Sequence, residues 1–369
     1  NYYGKGFNFS SQTAWQTNHR YYTEPIDGDF SPIDGITVVN NYGKDWNNVK
    51  VATQEFRFSS AEPATSRFRW TAGLYGFYQD NPVRQGTHFG ADAEMVGGTA
   101  DLINTTLINI NEGTGFGVAL YGQGTYSLSP ELELTAGLRY DHETKELNVR
   151  GEAQYGEDPP AVFQPDTATK ADFSAFSPKV SLAYAFSEQH RAYLSYSRGF
   201  RAGGLTQFSS LEQSSPPLYP YKPEYSDNFE AGVKNIFARG RLRLNFSAFY
   251  TKVSDAQVPT LILPEAFTVT RNAGELESKG VEVEVASTLL KGLDAVYNFG
   301  YTDAKFTNLQ LPGEDGILDL NGNRQIFTPE VTSMLSLQYT YQLPSNPGVR
   351  LVAGGQWQYL GSQYFDLKN

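Results

Sequence analysis

The 369-residue sequence contains no cysteine, so neither disulfide bonds nor a thiolate metal site can contribute to the fold. It also lacks any apolar run of about 18 residues, the length that a transmembrane helix requires. The four histidines are scattered without metal-ligand spacing, and no HExxH, Ser-His-Asp or phosphate-loop pattern occurs. These absences argue against an enzyme, and we expect neither a bound metal nor a resident cofactor.

Acidic residues outnumber basic ones, and the formal net charge of −11 argues against a nucleic-acid partner. Aromatic residues are abundant and make up 14% of the chain. This content suits the aromatic belts of a membrane-spanning barrel, although soluble β proteins are also rich in these residues. The mean hydropathy of −0.44 fits a barrel whose strands turn every second side chain toward a polar lumen.

Very short turns and long connections alternate along the sequence. The long connections run from about 13 to about 30 residues, and the short turns are residues 61–66, 129–131, 187–190, 238–240, 290–292 and 344–348. Outer-membrane barrels have tight periplasmic turns and long external loops, whereas soluble sandwiches and propellers mix loop lengths at both ends. We therefore predict that all six short turns lie at one end of a barrel.

Apolar and polar side chains alternate along the segments between these turns. In residues 241–251, for example, Leu242 and Leu244 are apolar whereas Arg241 and Arg243 are polar. A slip of one residue would carry charges into hydrocarbon, so the register is strongly specified. The alternation predicts an all-β, antiparallel transmembrane β-barrel. Its strands, about 13 in number, start near Gly6, Asp45, Arg67, Gly115, Glu131, Asp172, Arg191, Glu224, Arg241, Val269, Leu293, Thr328 and Val349.

Two segments break the alternation. Arg198 shares the parity of Leu194, so either the strand has left the bilayer there or Gly199 marks a bulge. Glu275 and Glu277 share the parity of Val281, which requires either a bulge at Lys279–Gly280 or a position above the bilayer for both carboxylates. The sequence leaves both pairs of alternatives open.

An odd strand count does not fit a complete bacterial barrel, because single-chain barrels have even counts and close on themselves. A barrel of about 22 strands needs on the order of 600 residues, and this is the size of transporters whose lumen is plugged. We therefore expect residues 1–369 to form an outer-membrane barrel segment, from which a plug domain and the closing C-terminal strands are absent.

Five motifs occur in an order that resembles the barrel of TonB-dependent receptors. They are SPKVSL with YLSYSRGFRAGG (177–182 and 193–204), KPEYSDNFEAGVK (222–234), GRLRLNFSAFY (240–250), NAGELESKGVEVE (272–284) and DLNGNR with PE (319–324 and 329–330). The resemblance covers residues from about 50 to 369. It implies a bacterial outer-membrane receptor that takes up a scarce ligand, most often a ferric siderophore, with energy relayed by TonB through the plug.

In each strand, the polar side chains that alternate with the apolar ones are assigned to the lumen wall. We expect them to face a plug domain or lumenal water, and we expect the two arginines that follow a short turn to meet plug carboxylates. The lumen-facing and plug-facing residues are Glu133, Arg139, Arg241, Arg243, Glu282, Glu284 and Gln338.

Ligand contacts are expected in the long loops and the outer third of the lumen. Guanidinium groups beside phenols suit an anionic, aromatic iron chelate through charge-assisted hydrogen bonds and stacking. The candidate ligand-binding residues are Arg84, His88, Arg201, Tyr219, Tyr221 and Arg271. Taken singly, a rim arginine equally suits a lipopolysaccharide phosphate, and a rim tyrosine suits the aromatic belt.

The remaining alternatives are a passive porin, and uptake of cobalamin or a glycan by the same fold. Porins have about 16 to 18 strands and an open channel, and they lack the five motifs. Receptors for haem resemble this family but carry a Phe-Arg-Ala-Pro box, an Asn-Pro-Asn-Leu box and a histidine between them. Here Phe200-Arg201-Ala202 is followed by Gly203 and no histidine occurs after His190, so the resemblance disfavours haem uptake. We expect a monomer in contact with lipid and lipopolysaccharide.

Overall fold

The computed structural model describes residues 1–22, 24–28, 32–44, 47–61, 66–207, 218–262, 267–313, 316–346 and 348–368. Thirteen strands of 11 residues or more dominate it, and their number confirms the expected count. They are β1 (Phe7–Arg20), β2 (Asn47–Ser60), β3 (Phe68–Phe89), β4 (Thr105–Ser127), β5 (Leu132–Tyr155), β6 (Ala161–Ser187), β7 (His190–Arg201), β8 (Glu224–Phe237), β9 (Leu242–Ile262), β10 (Phe267–Leu290), β11 (Leu293–Gly313), β12 (Val331–Gln342) and β13 (Arg350–Leu360).

Short elements lie between these strands. They are the short strands Tyr2–Tyr3, Ile26–Asp27, Ile36–Asn40, Gly204–Gln207, Leu218–Tyr221 and Gly316–Asp319, and the 3₁₀ helices Ala93–Val96, Ala100–Leu102 and Ala238–Gly240. Within the described residues, no helix has both the length and the apolar character needed to cross a membrane.

Each long strand pairs antiparallel with the next one along the chain, which confirms the all-β antiparallel fold. The β3–β4 ladder, for example, runs without a break from Phe68↔Tyr126 to Phe89↔Thr105. Successive connections in such a meander alternate between the two ends of the sheet. The six short turns therefore lie at one end, as predicted, although residues 62–65 and 347 lie outside the described residues.

One face of the sheet exposes large apolar side chains, such as Leu134, Leu194 and Leu337. The other face is polar, and its side chains reach across whole strands. Arg69 on β3 contacts Glu133 on β5 over the intervening β4, with an N–O distance of 2.6 Å. Side chains converge in this way on the concave side of a curved sheet. The polar face is therefore the lumen wall, and the apolar face is the lipid-facing surface.

Outward aromatic side chains mark the two limits of the apolar band. Phe176 contacts Tyr140 with tilted rings whose centroids are 4.9 Å apart, and Tyr184 near the short turns contacts Phe186 at 5.0 Å. Phe176 and Tyr184 are eight residues apart on β6, about 26 Å along the strand. At the usual strand tilt of about 35–45°, this length spans a height of about 20 Å, close to the roughly 25 Å apolar band between two aromatic belts.

The two breaks in alternation are outward charges above the band, and the ladders show no bulge at Gly199 or at Lys279–Gly280. The β7–β8 ladder is regular through Arg198, which forms a salt bridge of 2.8 Å with Asp227 beyond the Tyr196–Phe229 ring contact. On β10 the pairing is regular from Leu276 to Ser287 in both ladders, and the register shifts next to Glu275. The Glu275 carboxylate lies above this stretch and contacts Lys252 at 3.1 Å.

Several strands start earlier than the sequence suggested, and the connections between them are correspondingly shorter. β4 begins at Thr105 instead of near Gly115, and β6 begins at Ala161 instead of near Asp172. Only residues 156–160 connect β5 to β6. The expected start of β2 at Asp45 lies outside the described residues. Beyond the bilayer both faces of a strand are polar, so the alternation that reveals a strand disappears.

The long strands therefore form a wall that extends past the membrane. β6 has 27 residues, whereas about 9 to 11 tilted residues suffice to cross a bilayer. The excess lies at the end with the long connections, because the turns at the other end contain only a few residues.

The lipid-facing assignment predicts a cost for Leu194→Arg, near the middle of the apolar band. The variant should lose about 2–4 kcal/mol of folding free energy in a lipid bilayer, because a guanidinium would enter hydrocarbon. Denaturant titration in lipid vesicles measures this loss. The matched control is Ser195→Arg, one residue along β7 on the lumen face. Equal stability of the two variants would contradict the assignment.

The turn between β10 and β11 predicts a second cost. Gly292 has φ +84°, and a Cβ there would lie 2.3 Å from the Thr340 carbonyl oxygen. Gly292→Ala should therefore destabilise the fold by about 1–3 kcal/mol. Gly122→Ala within β4 is the control, because its nearest neighbouring atom would be 3.9 Å away. If unfolding midpoints show equal effects of both changes, the strain argument is wrong.

Candidate functional site

A cavity of about 490 Å³ opens on the lumen face at the end with the long connections. One wall is formed mainly by odd-numbered residues of β3, β4 and β5. They lie on the same face of the sheet as Tyr75 and Arg139, but beyond the membrane band. The opposite wall consists of Arg201 to Leu205 and Tyr221. The cavity therefore lies where a ligand arriving from the long-loop end would first meet the lumen.

A short hairpin supplies the second wall. Gly204–Gln207 pairs antiparallel with Leu218–Tyr221, and we call this hairpin the arm. It leaves the sheet at Gly203, where a Cβ would lie 2.3 Å from both the Phe173 ring and the Tyr221 carbonyl oxygen. Only glycine fits so close an approach, so the arm can lie against β6.

Arg201 is the cation of this cavity lining that forms no ion pair among the described residues. Its exposed guanidinium makes no hydrogen bond or ion pair with any described residue. Lys145, the other cation in the lining, is 3.1 Å from the Glu143 carboxylate and 5.4 Å from the centre of the Phe77 ring. Lys145 is thus neutralised locally, whereas Arg201 is available to an anionic group of a ligand.

Unsatisfied amides add hydrogen-bonding capacity to the same lining. Asn81 and Asn111 belong to the cavity wall, and the Oδ1 atom of each is buried without a hydrogen-bond partner among the described residues. A buried polar atom without a partner is costly, so a water molecule or a ligand group that reaches these oxygens and donates a hydrogen bond would be stabilising.

Tyr221 faces the cavity as a neutral phenol. Burial of the ring raises the pKa of its hydroxyl, and the positive charge of Arg201 opposes this shift. Because the pKa lies above its ordinary alkaline value, the hydroxyl keeps its proton at neutral pH. Tyr221 can therefore donate a hydrogen bond to a ligand beside the Arg201 guanidinium.

The six candidate ligand residues do not form one group. The structure brings Arg201 and Tyr221 together in the cavity, whereas Arg84 and His88 have the opposite parity on β3 and lie on the outward face. There Arg84 is 3.6 Å from the Glu152 carboxylate, and the His88 ring is 3.0 Å from the Thr106 hydroxyl.

The other two candidates are less informative. Arg271 is half-buried on β10, opposite Val258 of β9, and does not belong to the cavity lining. Tyr219 lies in the arm, but its side chain is outside the part that the structure describes.

Two of the expected lumen residues join polar networks on the concave face. The Arg139 guanidinium donates to both carboxylate oxygens of Asp141 and lies 5.6 and 5.8 Å from the centres of the Tyr75 and Tyr121 rings. Glu133 contacts Arg69 and also Arg191, at 4.0 Å.

The carboxylates on β10 are open to the lumen. Glu282 accepts a hydrogen bond from Ser247 at 3.3 Å, and Glu284 accepts one from Asn245 at 3.1 Å. Arg243 and Gln338 are exposed on the same face of the sheet.

Arg241 lies in a turn, one residue before β9 begins. Its guanidinium donates to the Thr288 and Leu289 carbonyls, each at 3.3 Å, at the end of β10. Within the described chain, Arg241 therefore holds a turn together, and its expected plug partner stays a prediction.

Several lining residues were missed because the sequence reading stopped at the bilayer edge. In β3, β4 and β5 the odd-numbered residues face the lumen. Continuing this alternation past the bilayer edge would have identified Asn81, Asn111 and Lys145. Gln257 gave no such signal, because the ladder shifts register between Val253 and Gln257.

Residues 1–369 match the family described as TonB dependent receptor-like, beta-barrel. The chain is 23% identical over 370 residues to the pesticin receptor of Yersinia enterocolitica serotype O:8, covering 98% of this chain and 46% of that protein. It is 28% identical over 189 residues to the ferrioxamine B receptor of Salmonella typhimurium, covering 51% of this chain and 24% of that protein. The chain thus spans about half the length of the pesticin receptor.

A solved structure has the same fold. The ferric yersiniabactin uptake receptor FyuA from Yersinia pestis superposes with a TM-score of 0.75 at 19% identity, covering 100% of this chain and 49% of that chain. At this identity the likeness concerns the fold alone. The family match extends over residues 1–369, and the chain therefore belongs to the TonB-dependent receptor-like β-barrel family, a family of bacterial outer-membrane receptors that are not enzymes.

Proposed function

We propose that the full-length protein takes up an anionic ferric siderophore across the outer membrane by TonB-dependent active transport. The observation that carries the proposal is the Arg201 guanidinium, which lines the cavity and forms no ion pair with any described residue. Two of the similar proteins are a ferrioxamine B receptor and a ferric yersiniabactin uptake receptor, which supports iron uptake.

The chemistry of the cavity suits such a chelate. Arg201 offers a charge-assisted hydrogen bond, and the neutral Tyr221 phenol offers a second donor and an aromatic face. The amides of Asn81 and Asn111 provide orientation through neutral hydrogen bonds. A chelate with peripheral carboxylate or phenolate oxygens would neutralise Arg201, the cation that forms no ion pair within the described part of the lining.

Energy coupling requires parts that we place outside this chain. We propose that a plug domain of the full-length protein fills the lumen against Arg139, Glu282 and Glu284, and that TonB acts on that plug. The open carboxylates of β10 support this proposal, because they have hydrogen-bonding capacity to spare on the lumen face. We also propose a monomer whose outward ion pairs, such as Arg198 with Asp227, meet lipopolysaccharide headgroups.

Arg201→Ala in the full-length protein should weaken binding of the anionic ferric siderophore about ten-fold or more, roughly 1.5–3 kcal/mol. Quenching of tryptophan fluorescence by anionic ferric siderophores, starting with ferric citrate, measures the affinity. Arg84→Ala is the matched control, because Arg84 lies on the outward face. Its partner Glu152 would still form a salt bridge of 2.8 Å with Arg150, so the control leaves no carboxylate unpaired. Unchanged affinity of Arg201→Ala removes this residue from the site, and a ligand that proves to be neutral refutes the electrostatic argument.

Transport is tested separately from binding. Uptake of radiolabelled iron by cells that carry the full-length protein should require TonB and should stop when TonB is deleted. Uptake that continues at the same rate without TonB would indicate a passive channel instead of an energised receptor.

A further inference from the structure

The base of the arm is held by one buried side-chain amide. The chain leaves the sheet after Arg201 and returns at Glu224, so the carbonyl groups of Ala202 and Lys222 lie outside the β7–β8 ladder. Gln257 of β9 is 6% exposed, and its Nε2 donates to the carbonyl oxygens of Ala202 at 2.9 Å and Lys222 at 3.1 Å. One amide thus bridges the outgoing and the returning chain.

A second amide holds the returning chain. The Asn272 Oδ1 accepts a hydrogen bond from the Lys222 N–H at 2.5 Å, and its Nδ2 donates to the Lys222 carbonyl oxygen at 2.9 Å. The same Nδ2 lies 2.8 Å from the Asp255 carbonyl oxygen. Both backbone polar groups of Lys222 are therefore satisfied by this one side chain.

A local irregularity of the sheet sets the two amides side by side. The β9–β10 register shifts on either side of Ala256, and Asp255 has φ 53°, a left-handed conformation that is uncommon outside glycine. After these shifts Gln257 is the ladder partner of Asn272. Maintaining a strained residue at this position costs free energy, which the hydrogen bonds of the two amides offset.

The clamped carbonyls are adjacent to the cavity groups. Arg201 directly precedes Ala202, and Tyr221 directly precedes Lys222. The Gln257 backbone N–H also donates to the Glu224 carboxylate at 2.7 Å, which ties the start of β8 to the same point. Movement of the junction would therefore displace both Arg201 and Tyr221.

We propose that Gln257 and Asn272 are positioning residues for the ligand cavity, because they hold the arm in the geometry that presents Arg201 and Tyr221 together. The proposal rests on the proposed function for its ligand. A site that is already ordered does not pay the ordering cost when a ligand binds. If the arm is released, only a fraction of the molecules keeps Arg201 and Tyr221 in the binding geometry. The apparent affinity for the ligand falls in proportion to that fraction.

Gln257→Met in the full-length protein tests the clamp without any ligand, because it keeps the size of the side chain and removes its donors. Loss of two buried hydrogen bonds should raise amide hydrogen exchange in residues 203–207 and 218–222 about 10- to 30-fold. Trypsin cleavage after Arg201 should accelerate in parallel, and the thermal unfolding of the barrel should stay unchanged. Gln338→Met, an exposed glutamine on β12, is the matched control.

A second variant and a binding measurement complete the test. Asn272→Asp keeps the acceptor for Lys222 and removes the donor, so it should also release the arm, and it serves if Gln257→Met does not fold. Affinity for anionic ferric siderophores, starting with ferric citrate, should fall in both variants. Wild-type exchange in a folded variant, or a released arm with unchanged affinity, overturns the positioning role. If the wild-type protein binds no ferric siderophore, the proposed function is refuted. The hydrogen-exchange measurement then still tests whether Gln257 and Asn272 hold the arm, because it requires no ligand.

Discussion

Backbone hydrogen bonding in lipid is the constraint on which the rest of this structure depends. No water is available in hydrocarbon to satisfy an N–H or C=O group, so strands can cross only when they pair with neighbours. The antiparallel meander of β1 to β13 meets this requirement with tight turns at one end. Once the ladder is set, each strand has one face toward lipid and one toward the lumen.

Curvature of the sheet converts the polar face into a place where distant residues meet. Arg69 reaches Glu133 across β4, and Arg139 lies over the ring of Tyr75 two strands away. The outward face diverges instead, and there charges appear only beyond the aromatic belt, as with Arg198. The same pattern of alternation therefore leads to polar networks inside and an apolar band outside.

The candidate site depends on a departure from this regular plan. The arm leaves the ladder and is held at its base by side-chain amides in place of backbone partners. Buried backbone groups must find a partner, and Gln257 and Asn272 provide it where the sheet cannot. The cavity thus combines a rigid wall of β3 to β5 with an arm whose position rests on a few hydrogen bonds.

The sequence by itself determined the fold class, the strand count and the two faces, because alternation with period two is a local signal enforced by lipid. It did not determine the strand ends, since the alternation disappears where both faces of a strand are exposed to water. Parity carried beyond the membrane would have excluded Arg84, but the position of Arg201 in the cavity depends on the path of the arm, which the sequence does not reveal. Only the tertiary structure brought Gln257 to the arm, through a register shift that has no signature in the local sequence.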